Sequence, residues 1–372
     1  MKKQKKKTSF YQIFSMIISV VIGAVFGVIL SEFLIEQINL CELIVMFVSV
    51  VFAIYIHIII HEAGHLVFGL LTGYKFCSFR IMNFTWIKEK DKIKFKKLSI
   101  AGTAGQCLLS PPDMKDGKFP VAIYNLGGIF MNIIVSLVFL LFYLLFREVS
   151  YISVIMSTFT AIGFITVITN GIPLSMNGVN NDGYNTISIM RNKNSRYAFW
   201  LQLKINQLQS DGMRLKDISE KWFEYPSYED MNNNMVATIG VFCCNRMMDN
   251  HDFENADKTM TELLESDAAI IGLHRQLLIC DMIYCKLISG NTDDAVELMD
   301  KKQKKFMKSM KTFPSVMRTE YAYALICEKD TEKAEKIKTA FEKRISTYPY
   351  SGEAESEQEL MEIVGNYALN KA

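Results

Sequence analysis

Ile54-Tyr55-Ile56-His57-Ile58-Ile59-Ile60-His61-Glu62-Ala63-Gly64-His65-Leu66 sets three histidines and a glutamate into an otherwise apolar stretch. His61 and His65 are four apart, so on a helix they project from one face, one turn apart. Two imidazoles at that spacing ligate one Zn²⁺, and the glutamate beside the first can polarise a water on the metal. Zinc lowers the pKa of such a water to about 7, giving a hydroxide able to attack an amide. A charged group inside a span costs a few kcal/mol, so ionisable residues there mark function. The plainer reading is a polar cluster that satisfies itself between helices; the apolar setting favours the metal. His57, one turn earlier on the same face, lies about 12 Å from His65 along the axis at ~1.5 Å per residue. A straight line of three imidazoles cannot wrap one ion, so His57 reads as a residue behind the ligands or lining a pore.

Outward from this stretch, the chain reads as membrane protein. No Lys or Arg occurs from Thr8 to Tyr74. Apolar runs over about 10–31, 40–72, 121–146 and 150–172 each exceed the ~20 residues that cross a bilayer as a helix. Lys2, Lys3, Lys5, Lys6 and Lys7 precede the first run with no small-x-small cleavage site after it, so a retained helix is expected. By the positive-inside rule these lysines place the N-terminus in the cytosol, and four spans return the C-terminus there. The ten Lys and Arg residues between Lys75 and Lys118 agree, whereas the loops assigned outside hold only Arg147. The expectation is a multi-pass protein of the cell membrane, with a membrane domain over 1–190 and a cytosolic domain over 191–372.

The whole chain has 372 residues, is half hydrophobic and carries a net charge of +2, which implies no global pull toward nucleic acid. Its eight cysteines are scattered without a Cys-x-x-Cys pair, as expected of reduced thiols facing cytosol or lipid. Between the second and third spans, residues 76–87 are rich in Phe, Ile and Trp, and Ile93-Lys94-Phe95-Lys96 alternates apolar and basic. With Glu89-Lys90-Asp91-Lys92 as the turn, the segment 76–98 predicts a cytosolic β-hairpin, one edge of which can lie on the membrane surface. Gly102, Gly105 and Pro111-Pro112 break the pattern before the third span.

Two histidines leave a metal short of a ligand. Asp182 is the only carboxylate between Glu148 and Asp211, and it follows the fourth span at its cytosolic end. The topology brings it to the depth of His61 and His65, although Asn181-Asp182-Gly183 alone reads as an ordinary turn.

These residues resemble the site-2 protease family of intramembrane zinc metalloproteases. His61-Glu62-Ala63-Gly64-His65 is similar to that family's helix motif in full, and Asp182-Gly183 looks like its Asp-Gly motif. Asn125-Leu126-Gly127-Gly128-Ile129-Phe130-Met131-Asn132 resembles its Asn-x-x-Gly-Pro-x-x-Asn segment, with Ile129 in place of proline. The stretch from Pro173 to Asp182 is longer than the family's compact form. The hairpin is similar to the membrane-associated β element of such proteases. The resemblance covers about residues 10–190. It implies one catalytic Zn²⁺ held by His61, His65 and Asp182, Glu62 as general base, and a substrate-binding part for Asn125, Gly128 and Asn132, the last orienting the peptide backbone. The implied substrate is a transmembrane or membrane-inserted peptide.

From about residue 191 the chain is charged and helix-patterned. Ala256, Ala295 and Ala334, 39 residues apart, each follow a polar turn and open an amphipathic stretch. This resembles a helical-hairpin array of the tetratricopeptide type, whose usual period is about 34; an ordinary helical bundle with evenly spaced turns is the alternative. Either way the domain is all-α, and stacked hairpins present concave surfaces for a protein or peptide partner. Lys301-Lys302-Gln303-Lys304-Lys305 reads as a solvated face, or as a contact with the anionic inner leaflet. Two rival functions stay open on the sequence: a non-catalytic membrane receptor or scaffold on the same fold, and a metal transporter lined by His57, His61 and His65.

Overall fold

The computed structural model describes residues 39–89, 92–97, 104–176 and 179–371. The first expected span, about 10–31, and the lysines before it lie outside the described residues. The chain divides into two compact units: one from the described residues up to Tyr74 together with Phe119–Arg191, the other from Lys75–Lys118 together with the chain from Asn192 onward.

Among the described residues, three helices of the first unit are long and apolar enough to cross a membrane: α1 (Leu40–Leu71), α2 (Val121–Leu145) and α3 (Ser150–Gly171), with mean hydropathies of 2.9, 2.5 and 2.0. Their bounds fall within a residue of the ranges expected from the apolar runs. Helix α1 opens with a capping box. Asn39 Oδ1 accepts from the Glu42 N–H at 3.0 Å, and Glu42 Oε2 accepts from the Asn39 N–H at 3.1 Å. It ends before Gly73, whose φ of 88° a side chain rarely adopts.

The packing of these helices inverts that of a water-soluble bundle. Helix α1 buries Ser49, Ala53, His57, Gly64, His65 and Gly69, while Phe47, Val51 and Phe52 stand exposed. Lipid solvates large apolar side chains as well as a protein core does, so helix contacts fall to small residues that let backbones approach. Gly64 and Gly127 show this directly: a Cβ on Gly64 would lie 2.8 Å from both the Gly127 carbonyl carbon and the Gly128 Cα. After α3, a two-stranded hairpin (Ser175–Met176 with Val179–Asn180) leads into α4 (Asp182–Arg191), which packs on α2 and α3.

The second unit begins with four antiparallel strands, β1 (Lys75–Ile81), β2 (Phe84–Glu89), β3 (Lys92–Lys97) and β4 (Gly105–Ser110), in the order β3-β2-β1-β4. The expected hairpin is thus part of a larger sheet. Strand β4 escaped the sequence reading because six residues between Gly and Pro signals give little pattern; Cys107 and Leu109 alternate onto its buried face. The sheet is tied to the C-terminal helices. Trp200 Nε1 donates to the Pro112 carbonyl at 3.0 Å, Lys96 Nζ to the Tyr348 carbonyl at 2.7 Å, and the Arg344 guanidinium to the Lys97 carbonyl at 3.0 Å.

Among the described residues nine α-helices follow: α5 (Lys193–Ser210), α6 (Asn234–Asp249), α7 (Phe253–Glu265), α8 (Gly272–Ser289), α9 (Thr292–Leu298), α10 (Lys301–Ser309), α11 (Pro314–Tyr323, prolonged by a π turn), α12 (Thr331–Ile345) and α13 (Ser351–Lys371). The 39-residue spacing reappears as geometry. Five residues before each of Ala256, Ala295 and Ala334 stands a left-handed residue, His251 (φ 60°), Gly290 (φ 87°) and Lys329 (φ 53°). The residue after each donates back into the preceding helix: Asp252 to Met247, Asn291 to Lys286 and Asp330 to Ala324. Each alanine is buried. Only one of the three positions is glycine, so two turns accept a left-handed residue costing roughly 1–2 kcal/mol.

Arg318, fully buried on α11, gathers carboxylates from α8 and α13. It is ion-paired with Asp281, its Nε is 3.4 Å from Glu357 Oε2, and its guanidinium lies 4.5 Å from the Tyr284 ring centre. Burial pushes the Glu357 carboxyl up to about 8 despite Arg318. Burial likewise lifts the half-buried Glu353, which accepts from Tyr348 Oη at 3.0 Å, to about 7. Unfolded glutamate titrates near about 4.3. Between about pH 5 and 8 the folded unit therefore holds more protons than the unfolded chain, and its stability falls as pH rises. Thermal unfolding of the second unit is expected to move to lower temperature across that window, with a shallower slope in Glu357→Gln. A midpoint that climbs from pH 5 to pH 8 would contradict this.

Candidate metal centre

Helix α1 carries His61 and His65 one turn apart, and α2 makes room for them. A Cβ on Gly128 would stand 2.6 Å from the His61 ring, so the second glycine of Gly127-Gly128 is what admits that imidazole. Asp182 arrives from the other side, at the first turn of α4. Asn181 fixes its approach: its Oδ1 accepts from the backbone N–H groups of Leu174 and Tyr184, both at 3.0 Å, and its Nδ2 donates to the carbonyls of Thr169 and Ile172. One side chain thus caps α4, closes the short hairpin and clamps both to the end of α3. The long stretch from Pro173 to Asp182 is this hairpin. Gly183 lets α4 sit against the end of α3, since a Cβ there would meet the Gly171 and Asn170 backbone.

The three side chains converge. His61 Nε2 lies 2.9 Å and His65 Nε2 3.4 Å from Asp182 Oδ2, and the two imidazole nitrogens are 3.2 Å apart. Metal–ligand bonds of ~2.0–2.1 Å at tetrahedral angles separate ligand atoms by about 3.3 Å, so the donor set fits one zinc ion. Asp182 Oδ2 is buried without a hydrogen-bond partner, as a ligating oxygen would be. His65 Nδ1 lies 2.8 Å from the Tyr124 carbonyl, which can only accept. The proton therefore sits on Nδ1 and leaves the Nε2 lone pair facing Asp182. These three residues form a metal-capable cluster among the described residues.

Glu62 is half-buried beside His61. Asn132, fully buried on α2, has both ends of its amide engaged within the protein, at 3.0 Å from His57 Nδ1 and 3.3 Å from His61 Nδ1. Asn125 is buried in the first turns of α2. His57 is also fully buried, out of reach of the Asp182 cluster, with its Nε2 at 2.9 Å from the Phe159 carbonyl of α3. Sequence reasoning missed the Tyr124 carbonyl, Asn181 and Gly163, whose missing side chain leaves space for the His57 ring. A backbone carbonyl carries no sequence signal. Asn181 had one, as an Asn one residue before a helix, but it was absorbed into the reading of a turn.

This arrangement can hold one divalent cation on two imidazoles and a carboxylate, with a second carboxylate next to it for proton transfer. The family model described as Peptidase family M50 matches residues 49–347. The match takes in the whole cluster, the sheet and most of the C-terminal helices. No curated protein and no solved structure matches the chain.

Proposed function

The chain belongs to peptidase family M50, the site-2 protease family, and from that membership we propose that it is an intramembrane zinc endopeptidase whose catalytic machinery is His61, Glu62, His65 and Asp182. The observation that carries this reading is the convergence of three ligand atoms at 2.9–3.4 Å at the end of an apolar helix. His61, His65 and Asp182 would hold the ion. When bound, zinc supplies Lewis acidity that brings the pKa of a water to about 7 and polarises a carbonyl. Glu62 accepts the proton that the attacking water loses and delivers it to the departing amide nitrogen, so it acts first as base and then as acid. Because α1 is lipid-facing on most of its surface, the fitting substrate is a membrane-inserted or membrane-anchored peptide. Its scissile amide meets water only where the protein provides it.

The basic residues between Lys75 and Lys118 support a cytosolic side for that segment and, with four spans, for both termini. The second unit is then cytosolic. Its recurring turns support a tetratricopeptide-like array that binds a protein or peptide partner.

The test is zinc content and cleavage together. Purified full-length protein is expected to hold one zinc per chain and to cut at least one member of a panel of single-span membrane peptides. A chelator should abolish cutting and added zinc restore it. Zinc retained with no cleavage of any peptide would favour the non-catalytic scaffold; zinc carried across sealed vesicles would favour the transporter.

A further inference from the structure

We propose that His57 and Asn132 are positioning residues that lock His61 in one tautomer, with the proton on Nδ1 and the Nε2 lone pair turned to the metal; this rests on the zinc reading above. A hydrogen-bond conflict stands behind His61. The Asn132 oxygen is placed toward His57 Nδ1 and its nitrogen toward His61 Nδ1. The Phe159 carbonyl, 2.9 Å from His57 Nε2, can only accept. In that arrangement His57 would need protons on both nitrogens while packed against Phe139, Phe159 and the Gly163 backbone. The Asn132 amide would also donate to His61 Nδ1, which drives the His61 proton onto Nε2. That is the atom 2.9 Å from Asp182 and 3.2 Å from His65, where a ligand needs a lone pair.

Exchanging the oxygen and nitrogen of one carboxamide moves no heavy atom and removes the conflict. His57 becomes neutral, donates from Nε2 to Phe159 and accepts at Nδ1 from the Asn132 NH₂ group. The Asn132 oxygen then accepts the His61 Nδ1–H. His61 Nε2 is left as a lone pair beside the Asp182 carboxylate, and His65 is in the same state through the Tyr124 carbonyl. Both ligand imidazoles present the same nitrogen, and every polar atom on the line from Phe159 to His61 is paired. The line is built by the fold. His57 and Asn132 are fully buried, and Gly163 is the opening in α3 that lets the His57 ring reach a helical carbonyl, since a Cβ there would lie 2.9 Å from Nε2. An orienting partner behind a ligating histidine is worth about 10- to 100-fold in metal affinity.

The test uses the full-length protein in detergent, with zinc affinity from competition with a chelator and the ring-nitrogen NMR of the metal-free histidines. Asn132→Leu and His57→Phe are expected to weaken zinc about 10- to 100-fold and to turn the single Nδ1–H signal of His61 into a tautomer mixture. Asn132→Asp accepts the His61 proton on one oxygen and pairs its other oxygen with a His57 that then carries both protons, the second donated to the Phe159 carbonyl, so it should hold zinc at near-parent affinity. That rescue separates positioning from mere packing. If the parent binds zinc and Asn132→Leu binds it equally well with an unchanged His61 tautomer, the relay is overturned and the zinc reading survives. If the parent itself binds no zinc, both fall.

Discussion

Glu62→Gln is expected to slow cleavage of a membrane peptide by roughly 10²- to 10⁴-fold, the usual contribution of a general base, while zinc content stays at that of the parent. The amide is close in shape to the carboxylate and lies outside the ligand set, so His61, His65 and Asp182 keep their geometry. What it removes is a proton acceptor beside the metal. Following a single-span peptide in parent and variant, with zinc measured on both, separates the two roles. Loss of zinc from Glu62→Gln would make Glu62 a structural part of the cluster. Cleavage indifferent to Glu62 would remove it from the mechanism and return the scaffold reading to the front.

The second large effect lies far from the metal. Arg318→Ala is expected to destabilise the second unit by about 3–5 kcal/mol, because it leaves Asp281 and Glu357 buried without a countercharge. The loss should be smaller at pH 5 than at pH 8, since the Glu357 carboxyl, pushed up to about 8 by burial, then takes a proton and sheds its charge. Replacing Arg318, Asp281 and Glu357 together by apolar residues of similar volume should recover most of the stability, as buried ion pairs seldom outperform good packing. Thermal unfolding of these variants at the two pH values measures both. Equal losses at pH 5 and pH 8 would mean that Glu357 is not the group left uncompensated.

These two sites differ in how far the sequence exposed them. His61, Glu62 and His65 were legible because a helical period of 3.6 turns a spacing of four into shared direction, and because lipid makes any ionisable residue conspicuous. The bounds of α1, α2 and α3 were legible for the same reason: hydrocarbon imposes a minimum apolar length. Asp182 was legible by elimination, as the sole carboxylate in a long interval. Arg318 gave no sign, because one arginine among many in a charged helical region reads as surface. Strand β4 was hidden by its shortness, and the sheet's attachment to the C-terminal helices by the 88 to 252 residues that separate the bonded pairs in sequence.

The sequence by itself determined that its apolar helices are long enough to cross a membrane, that two imidazoles and a glutamate share a helix turn, and that three polar turns recur every 39 residues. Each of these is a local periodicity, readable from spacing alone. Only the tertiary structure decided that Asp182 Oδ2 meets both imidazoles, that Asn181 and Gly183 set that approach, and that Gly127, Gly128 and Gly163 open the spaces for the rings. The tertiary structure also decided what stands behind each histidine, Tyr124 for His65 and the Asn132–His57 line for His61. These partners stand 59 to 102 residues from the histidines they meet. Carbonyl oxygens are the same in every residue, and a glycine's missing side chain matters only once another helix lies against it.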